Sequence, residues 1–157
     1  MERIKSFTID HNKLLPGVYV SREDSAVPDG APCECTVTTY DIRITRPNFE
    51  PVMNTGEVHT IEHIGATWLR NNEKIKSRVI YWGPMGCRTG FYLILSGQMP
   101  VEDVTSLMKE LFLFVADFEG AIPGATPEEC GNYSDMDLPK AKKRAKRYVE
   151  ILNEHKW

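Results

Sequence analysis

The chain is 157 residues long, 41% hydrophobic and 26% charged, with a net charge of −3. That size and balance describe one globular domain, residues 1–157, and argue against a nucleic acid or an anionic membrane surface as partner. No apolar run approaches the ~20 residues of a membrane helix, and the opening stretch MERIKSFTIDH has no signal-peptide core, so a cytoplasmic protein is expected.

Residues 4–9 alternate weakly and run into a polar turn at Asp10-His11-Asn12, and a short extended piece follows over 14–21. Residues 22–32, punctuated by Pro28, Asp29-Gly30 and Pro32, read as a loop. Cys33 and Cys35 come next; a C-x-C pair with no second pair nearby is a poor metal site, so they are read as surface thiols at the start of a strand. In the expected cytosolic setting Cys33, Cys35, Cys87 and Cys130 are all free thiols.

Residues 36–46, TVTTYDIRITR, form the clearest strand. Thr38, Tyr40, Ile42 and Ile44 share the face assigned to the core, and Asp41 and Arg43 share the other. A guanidinium held on a rigid strand is a good clamp for a carboxylate or phosphate, and a solvent-facing Asp41–Arg43 ion pair is the equal alternative. Pro47 and Pro51 end the strand before the next element.

Residues 54–72, NTGEVHTIEHIGATWLRNN, predict the central helix. Asn54 with Glu57 forms a capping box, and Val58, Ile61, Gly65 and Trp68 form its buried stripe. His59 and His63 lie one turn apart, and two imidazoles so placed can hold a divalent metal at nitrogen–metal distances of about 2.0–2.1 Å. The intervening Glu62 can reach the same centre as a base or as an outer acceptor, which favours a metal site over two surface histidines.

Two further strands are expected over 77–82 and 91–95, joined by Gly83-Pro84-Met85-Gly86-Cys87-Arg88-Thr89-Gly90. A thiol on such a glycine-rich tip, near backbone N–H groups and next to Arg88, is expected to have a lowered pKa. A helix over 100–118 buries Val101, Val104, Met108, Leu111, Val115 and Phe118. After Ile122-Pro123-Gly124, Thr126-Pro127-Glu128-Glu129 is a second capping box leading into Cys130-Gly131-Asn132, a short turn that could present Cys130 as a third metal ligand. The last helix, 137–157, buries Ala141, Ala145, Tyr148, Val149 and Leu152; its basic first half reads as a solvated face. These elements together predict an α+β fold, an antiparallel sheet of four to five strands packed against three main helices.

H-x-x-E-H is also the signature of inverzincin peptidases. A chain this short, with a thiol as its best third ligand, makes a small HxxEH-type metallohydrolase or peptidase the alternative rather than the first choice. The segments Ser6-Phe7, Asp10-His11, Tyr40-Asp41-Ile42-Arg43, His59-Thr60-Ile61-Glu62-His63, Gly83 to Leu93 and Cys130-Gly131-Asn132-Tyr133, in that order, closely resemble the S-ribosylhomocysteine lyases, the LuxS proteins that make the autoinducer-2 precursor. The resemblance implies a lyase that cleaves S-ribosylhomocysteine by two isomerisations and a β-elimination. It implies His59, His63 and Cys130 as ligands of one divalent metal, iron(II) in the cell with zinc or cobalt able to replace it. Cys87 and Glu62 are implied as the acid–base pair, Ser6, His11 and Arg43 as substrate-binding residues, and a homodimer with sites at the subunit interface as the assembly.

Overall fold

The structure, a computed structural model, describes residues 9–26 and 34–154. Strands β1 (Gly17–Ala26), β2 (Cys35–Arg43), β3 (Val79–Pro84) and β4 (Gly90–Ser96) form one antiparallel sheet in the order β1-β2-β4-β3. Helices α1 (Thr55–Asn71), α2 (Val101–Asp117) and α3 (Leu138–Glu154) pack on it, giving the expected α+β arrangement. No helix among the described residues is long and apolar enough to cross a membrane.

The register shows which face the helices cover. Ile42 pairs with Phe91 and Tyr40 with Leu93, and all four are fully buried. Trp82 stacks on Phe91 with ring centroids 4.7 Å apart and meets Phe112 of α2, which in turn packs edge-on against Tyr148 of α3. The stripe read on α3, Ala141 to Leu152, is buried as expected, whereas α2 buries Leu107 and Phe112 in addition to its predicted stripe. Val101 and Phe118, at the ends of α2, are only partly buried.

Two expectations are corrected. Residues 22–26 are strand, not loop: β1 continues past a bulge between Val20 and Arg22 and pairs as far as Ala26 with Cys35. The turn residues behind the loop reading, Pro28, Asp29-Gly30 and Pro32, all lie beyond Ala26, and an edge strand takes its stability from the backbone ladder and tolerates the charges of Arg22, Glu23 and Asp24. β2 is also buried on both faces rather than one, from Thr38 onward. Asp41 and Arg43 point away from the helices by strand alternation, yet they are only 4% and 2% exposed. Tyr19 and Tyr92 flank Asp41 in the register on the two neighbouring strands.

α1 starts where the capping box places it. The Asn54 side chain accepts from the Glu57 N–H at 2.7 Å, and the Glu57 carboxylate accepts from the Asn54 N–H at 3.1 Å. The same carboxylate takes Arg144 Nε of α3 at 2.5 Å, so the first turn of α1 is tied to α3 just before His59. Arg147 pairs with Glu50, Lys140 with Asp137, and Lys142 donates to the Phe118 carbonyl. Much of the basic run of α3 is therefore engaged within the chain.

Candidate active site

His59 and His63 project from α1 with their rings 4.5 Å apart and nearly perpendicular. The residues between α2 and α3 close over them. His59 Nδ1 lies 3.0 Å from the Asp135 carbonyl oxygen, and His63 Nδ1 lies 2.7 Å from the Pro123 carbonyl oxygen. A carbonyl only accepts, so each Nδ1 carries the hydrogen and each Nε2 keeps a free lone pair. Cys130 Sγ sits 3.4 Å from His59 Nε2, on a turn in which the Glu129 and Cys130 N–H groups both donate to the Thr126 carbonyl. The ligand atoms of His59, His63 and Cys130 all lie within 4.8 Å of one another. Two imidazoles with fixed tautomers and one thiol, a set that leaves a fourth tetrahedral position open, could hold a metal ion, and these residues fit one.

Beside this cluster a cleft of about 270 Å³ is bordered by Glu62, His63, Trp82, Pro123 and Gly124. Glu62 is half-buried, borders this cleft and has no ion-pair partner among the described residues. Gly124 has φ +71°, and a Cβ at that position would lie 3.1 Å from His63 Nδ1. Glycine thus allows the chain both its left-handed turn and its close approach to the imidazole.

Cys87 belongs to a second group, on the β3–β4 tip. The tip is a tight turn in which the Arg88 N–H donates to the Met85 carbonyl, and Arg88, rather than a glycine, takes the positive φ of 57°. Cys87 Sγ lies 3.1 Å from Thr89 Oγ1 and 3.9 Å from Arg43 Nη1. Burial pushes the thiol up, but the hydroxyl and amide of Thr89 and the charge of Arg43 outweigh it, and its pKa lies below the ordinary thiol value. The effective cation is therefore Arg43, and not the sequence neighbour Arg88 as expected.

Arg43 is itself held by Asp41, through Nε at 3.1 Å and Nη2 at 2.5 Å, while Nη1 donates to Thr89 at 2.5 Å. Burial raises the Asp41 carboxyl above its usual range, and the hydrogen bond and charge of Arg43 and the charge of His11 offset only part of that rise. His11, whose Nδ1 lies 3.0 Å from the Ile9 carbonyl, is thus within electrostatic reach of the same group. Ser6 and Cys33 lie outside the described residues. Cys35, Cys87 and Cys130 are free thiols. No hydrogen bond or ion pair among the described residues links the Cys87 group to the His59–His63–Cys130 group.

Sequence reasoning missed the Asp135 and Pro123 carbonyls and the Thr89 hydroxyl. Backbone acceptors carry no side-chain signature. In the sequence Thr89 stands out only as part of a turn.

A family model described as S-ribosylhomocysteinase (LuxS) matches residues 4–157. The chain belongs to the LuxS family. It is 55% identical to the S-ribosylhomocysteine lyase of Finegoldia magna, covering 98% of this chain and 93% of the relative. It is 54% identical to the lyase of that name from Clostridium beijerinckii, over 97% of this chain and 92% of the relative, and 51% identical to that of Phocaeicola vulgatus, over 99% and 92%. A LuxS metal site agrees with the cluster of His59, His63 and Cys130, and membership displaces the peptidase alternative.

Proposed function

We propose that this chain, acting as one catalytic domain over residues 1–157, cleaves the thioether of S-ribosylhomocysteine. The products are homocysteine and 4,5-dihydroxy-2,3-pentanedione, the autoinducer-2 precursor. The observation that carries this reading is the convergence of His59, His63 and Cys130 beside the unpaired Glu62, in a chain that matches the LuxS family nearly end to end.

A thioether leaves readily only when it is β to a carbonyl, so the sugar carbonyl must first move along the chain. Two aldose–ketose isomerisations carry it from C1 to C2 and then to C3, each taking a proton from one carbon and returning one to its neighbour. Loss of the C4 proton then breaks the C5–S bond, and the enol left behind takes a proton at C5 to give the dione. Atoms balance without an oxidant or reductant. A divalent metal held by His59, His63 and Cys130, which we assign as iron(II) with zinc or cobalt as substitutes, supplies polarisation of a substrate carbonyl oxygen and so acidifies the neighbouring C–H protons.

The chain's own groups move those protons. Cys87, with its lowered pKa, is the base that takes and returns carbon-bound protons. Glu62 shuttles protons among the substrate oxygens and delivers one to the departing sulfur. Ser6, His11 and Arg43 bind the substrate, Arg43 from a guanidinium whose orientation Asp41 has already set.

We also assign the working form as a homodimer with its sites at the subunit interface. The sheet face away from the helices carries the buried Asp41 and Arg43 together with Tyr81, which is 44% exposed, and no helix among the described residues packs on that side. Mixing inactive Cys87→Ala and Cys130→Ala proteins under subunit exchange tests the sharing of sites, because a mixed dimer recovers one complete site. No recovery in a verified mixed dimer confines each site to one chain.

The deciding experiment is thiol release from S-ribosylhomocysteine by anaerobically purified, iron(II)-loaded protein, read with a thiol-reactive dye beside Cys87→Ala. Release by the unmodified chain alone is expected. No release from protein shown to hold metal would overturn the lyase reading.

A further inference from the structure

The β3–β4 tip contains a hydroxyl whose hydrogen bonds are better satisfied in one charge state of Cys87 than in the other. Thr89 is 4% exposed, and its backbone is fixed because its carbonyl accepts from the Ile44 and Thr45 N–H groups at 2.9 Å and 3.1 Å. Its β-branched side chain has little χ1 freedom, so Oγ1 is aimed by the backbone. Arg43 Nη1 donates to that oxygen at 2.5 Å, and a guanidinium cannot accept in return. The single hydroxyl hydrogen must find another acceptor, and Cys87 Sγ lies 3.1 Å away.

The two forms of Cys87 answer differently. A neutral thiol is a weak acceptor, and if it donates its own hydrogen to Oγ1 it leaves the buried hydroxyl hydrogen of Thr89 without a partner. A thiolate accepts that hydrogen in a charge-assisted bond, and every group in the chain from Asp41 through Arg43 and Thr89 to Cys87 is then satisfied. Arg43 Nη1, at 3.9 Å from Sγ, is too far for a short direct bond, so it acts on the thiol through its charge and through the hydroxyl it orients.

We infer that Thr89 is a positioning residue that holds Cys87 as a thiolate by donating its hydroxyl hydrogen to Sγ. The inference rests on the reading of Cys87 as the reactive base. The charged group facing the thiol is Arg43 on β2, with Asp41 behind it and His11 acting on Asp41 from the preceding segment. The lowered pKa of Cys87, in which the Thr89 hydroxyl and amide oppose burial ahead of Arg43, agrees with this geometry.

The test is the pH dependence of Cys87 alkylation by iodoacetamide, followed on the Cys87 peptide by mass spectrometry so that the other cysteines do not contribute. Metal-loaded unmodified protein is compared with Thr89→Val, Thr89→Ala and Thr89→Ser, each checked by far-UV circular dichroism. Val and Ala are expected to raise the midpoint by about one pH unit, roughly a tenfold loss of thiolate below it, while Ser returns it towards the unmodified value. If Val fails to fold, the comparison of Ala with Ser decides. Unchanged midpoints in Val and Ala, or a Ser midpoint raised as far as theirs, would overturn the inference. Alkylation needs no turnover, so this failure is separate from failure of the lyase reading, which shows instead as absent homocysteine release with the midpoints ordered as expected.

Discussion

Asp41 grips Arg43 along one edge of the guanidinium, through Nε at 3.1 Å and Nη2 at 2.5 Å, with both side chains almost completely buried. Strand alternation places the two residues on one face, two positions apart, so the pair is built into β2 itself. Burial nevertheless raises the Asp41 carboxyl despite the cation beside it. The pair serves to orient Arg43 towards Thr89 and Cys87 and is a poor source of net stability.

Removing one partner should therefore cost far more than removing both. Asp41→Ala leaves a buried, uncompensated guanidinium and is expected to lower the unfolding free energy by about 3–5 kcal/mol. Asp41→Leu combined with Arg43→Met should recover most of that loss in urea unfolding, at the expense of activity. Equal destabilisation by the single and double variants would contradict this account.

The two cysteines assigned to the proposed site should separate cleanly. Cys130→Ala is expected to lose bound metal and activity together, whereas Cys87→Ala keeps its metal and loses turnover. Metal analysis of anaerobically purified proteins checks this, and equal metal content in the unmodified chain and Cys130→Ala would remove Cys130 from the ligand set.

Gly124 meets the candidate metal cluster through His63. Alanine there combines a strained positive φ of 71° with a Cβ at 3.1 Å from His63 Nδ1, the atom that donates to the Pro123 carbonyl. Disturbing such an outer partner typically weakens metal binding about 10–100-fold. Chelator competition on Gly124→Ala should show a loss in that range with the fold intact.

The pH dependence follows from the direction of the Cys87 shift. Its lowered pKa puts thiolate in the majority at a lower pH than for an ordinary cysteine, so the acid limb of kcat/KM should fall below the ordinary thiol range. Arg43→Met removes the charge and the donor that orients Thr89, and should move that limb to higher pH. A limb that stays in place would take Arg43 out of the control of the thiol.

Gly65 is a packing prediction away from the chemistry. A Cβ there would lie 2.6 Å from Trp82 Nε1, and Trp82 is itself stacked on Phe91 in the core. Gly65→Ala should lower stability by about 1–3 kcal/mol through overpacking, measurable as a lower urea midpoint.

Much of this protein is determined locally, and that part was legible in one dimension. The capping box at Asn54, the one-turn spacing of His59 and His63, the glycine-rich tip around Cys87 and the apolar stripe of α3 each depend on residues a few positions apart, and each appears in the structure at its expected place. The extension of β1 to Ala26 was hidden because its ladder partners lie on β2 and the turn residues just after it, Pro28, Asp29-Gly30 and Pro32, read as a loop.

What only the tertiary structure decided depends on groups that are distant along the chain and meet through backbone geometry. Pro123 and Asp135 reach the imidazoles with carbonyl oxygens that any residue could supply, so no residue type announces them. Arg43, and not the adjacent Arg88, acts on Cys87 because antiparallel pairing sets Arg43 opposite Gly90 while the turn gives Arg88 a left-handed backbone. Burial of Asp41 likewise required the assembled sheet. Sequence alone was enough for residue types and local spacing, which select the chemistry; the fold set the partners and the burial, because charge and hydrogen bonding act through space and not along the chain.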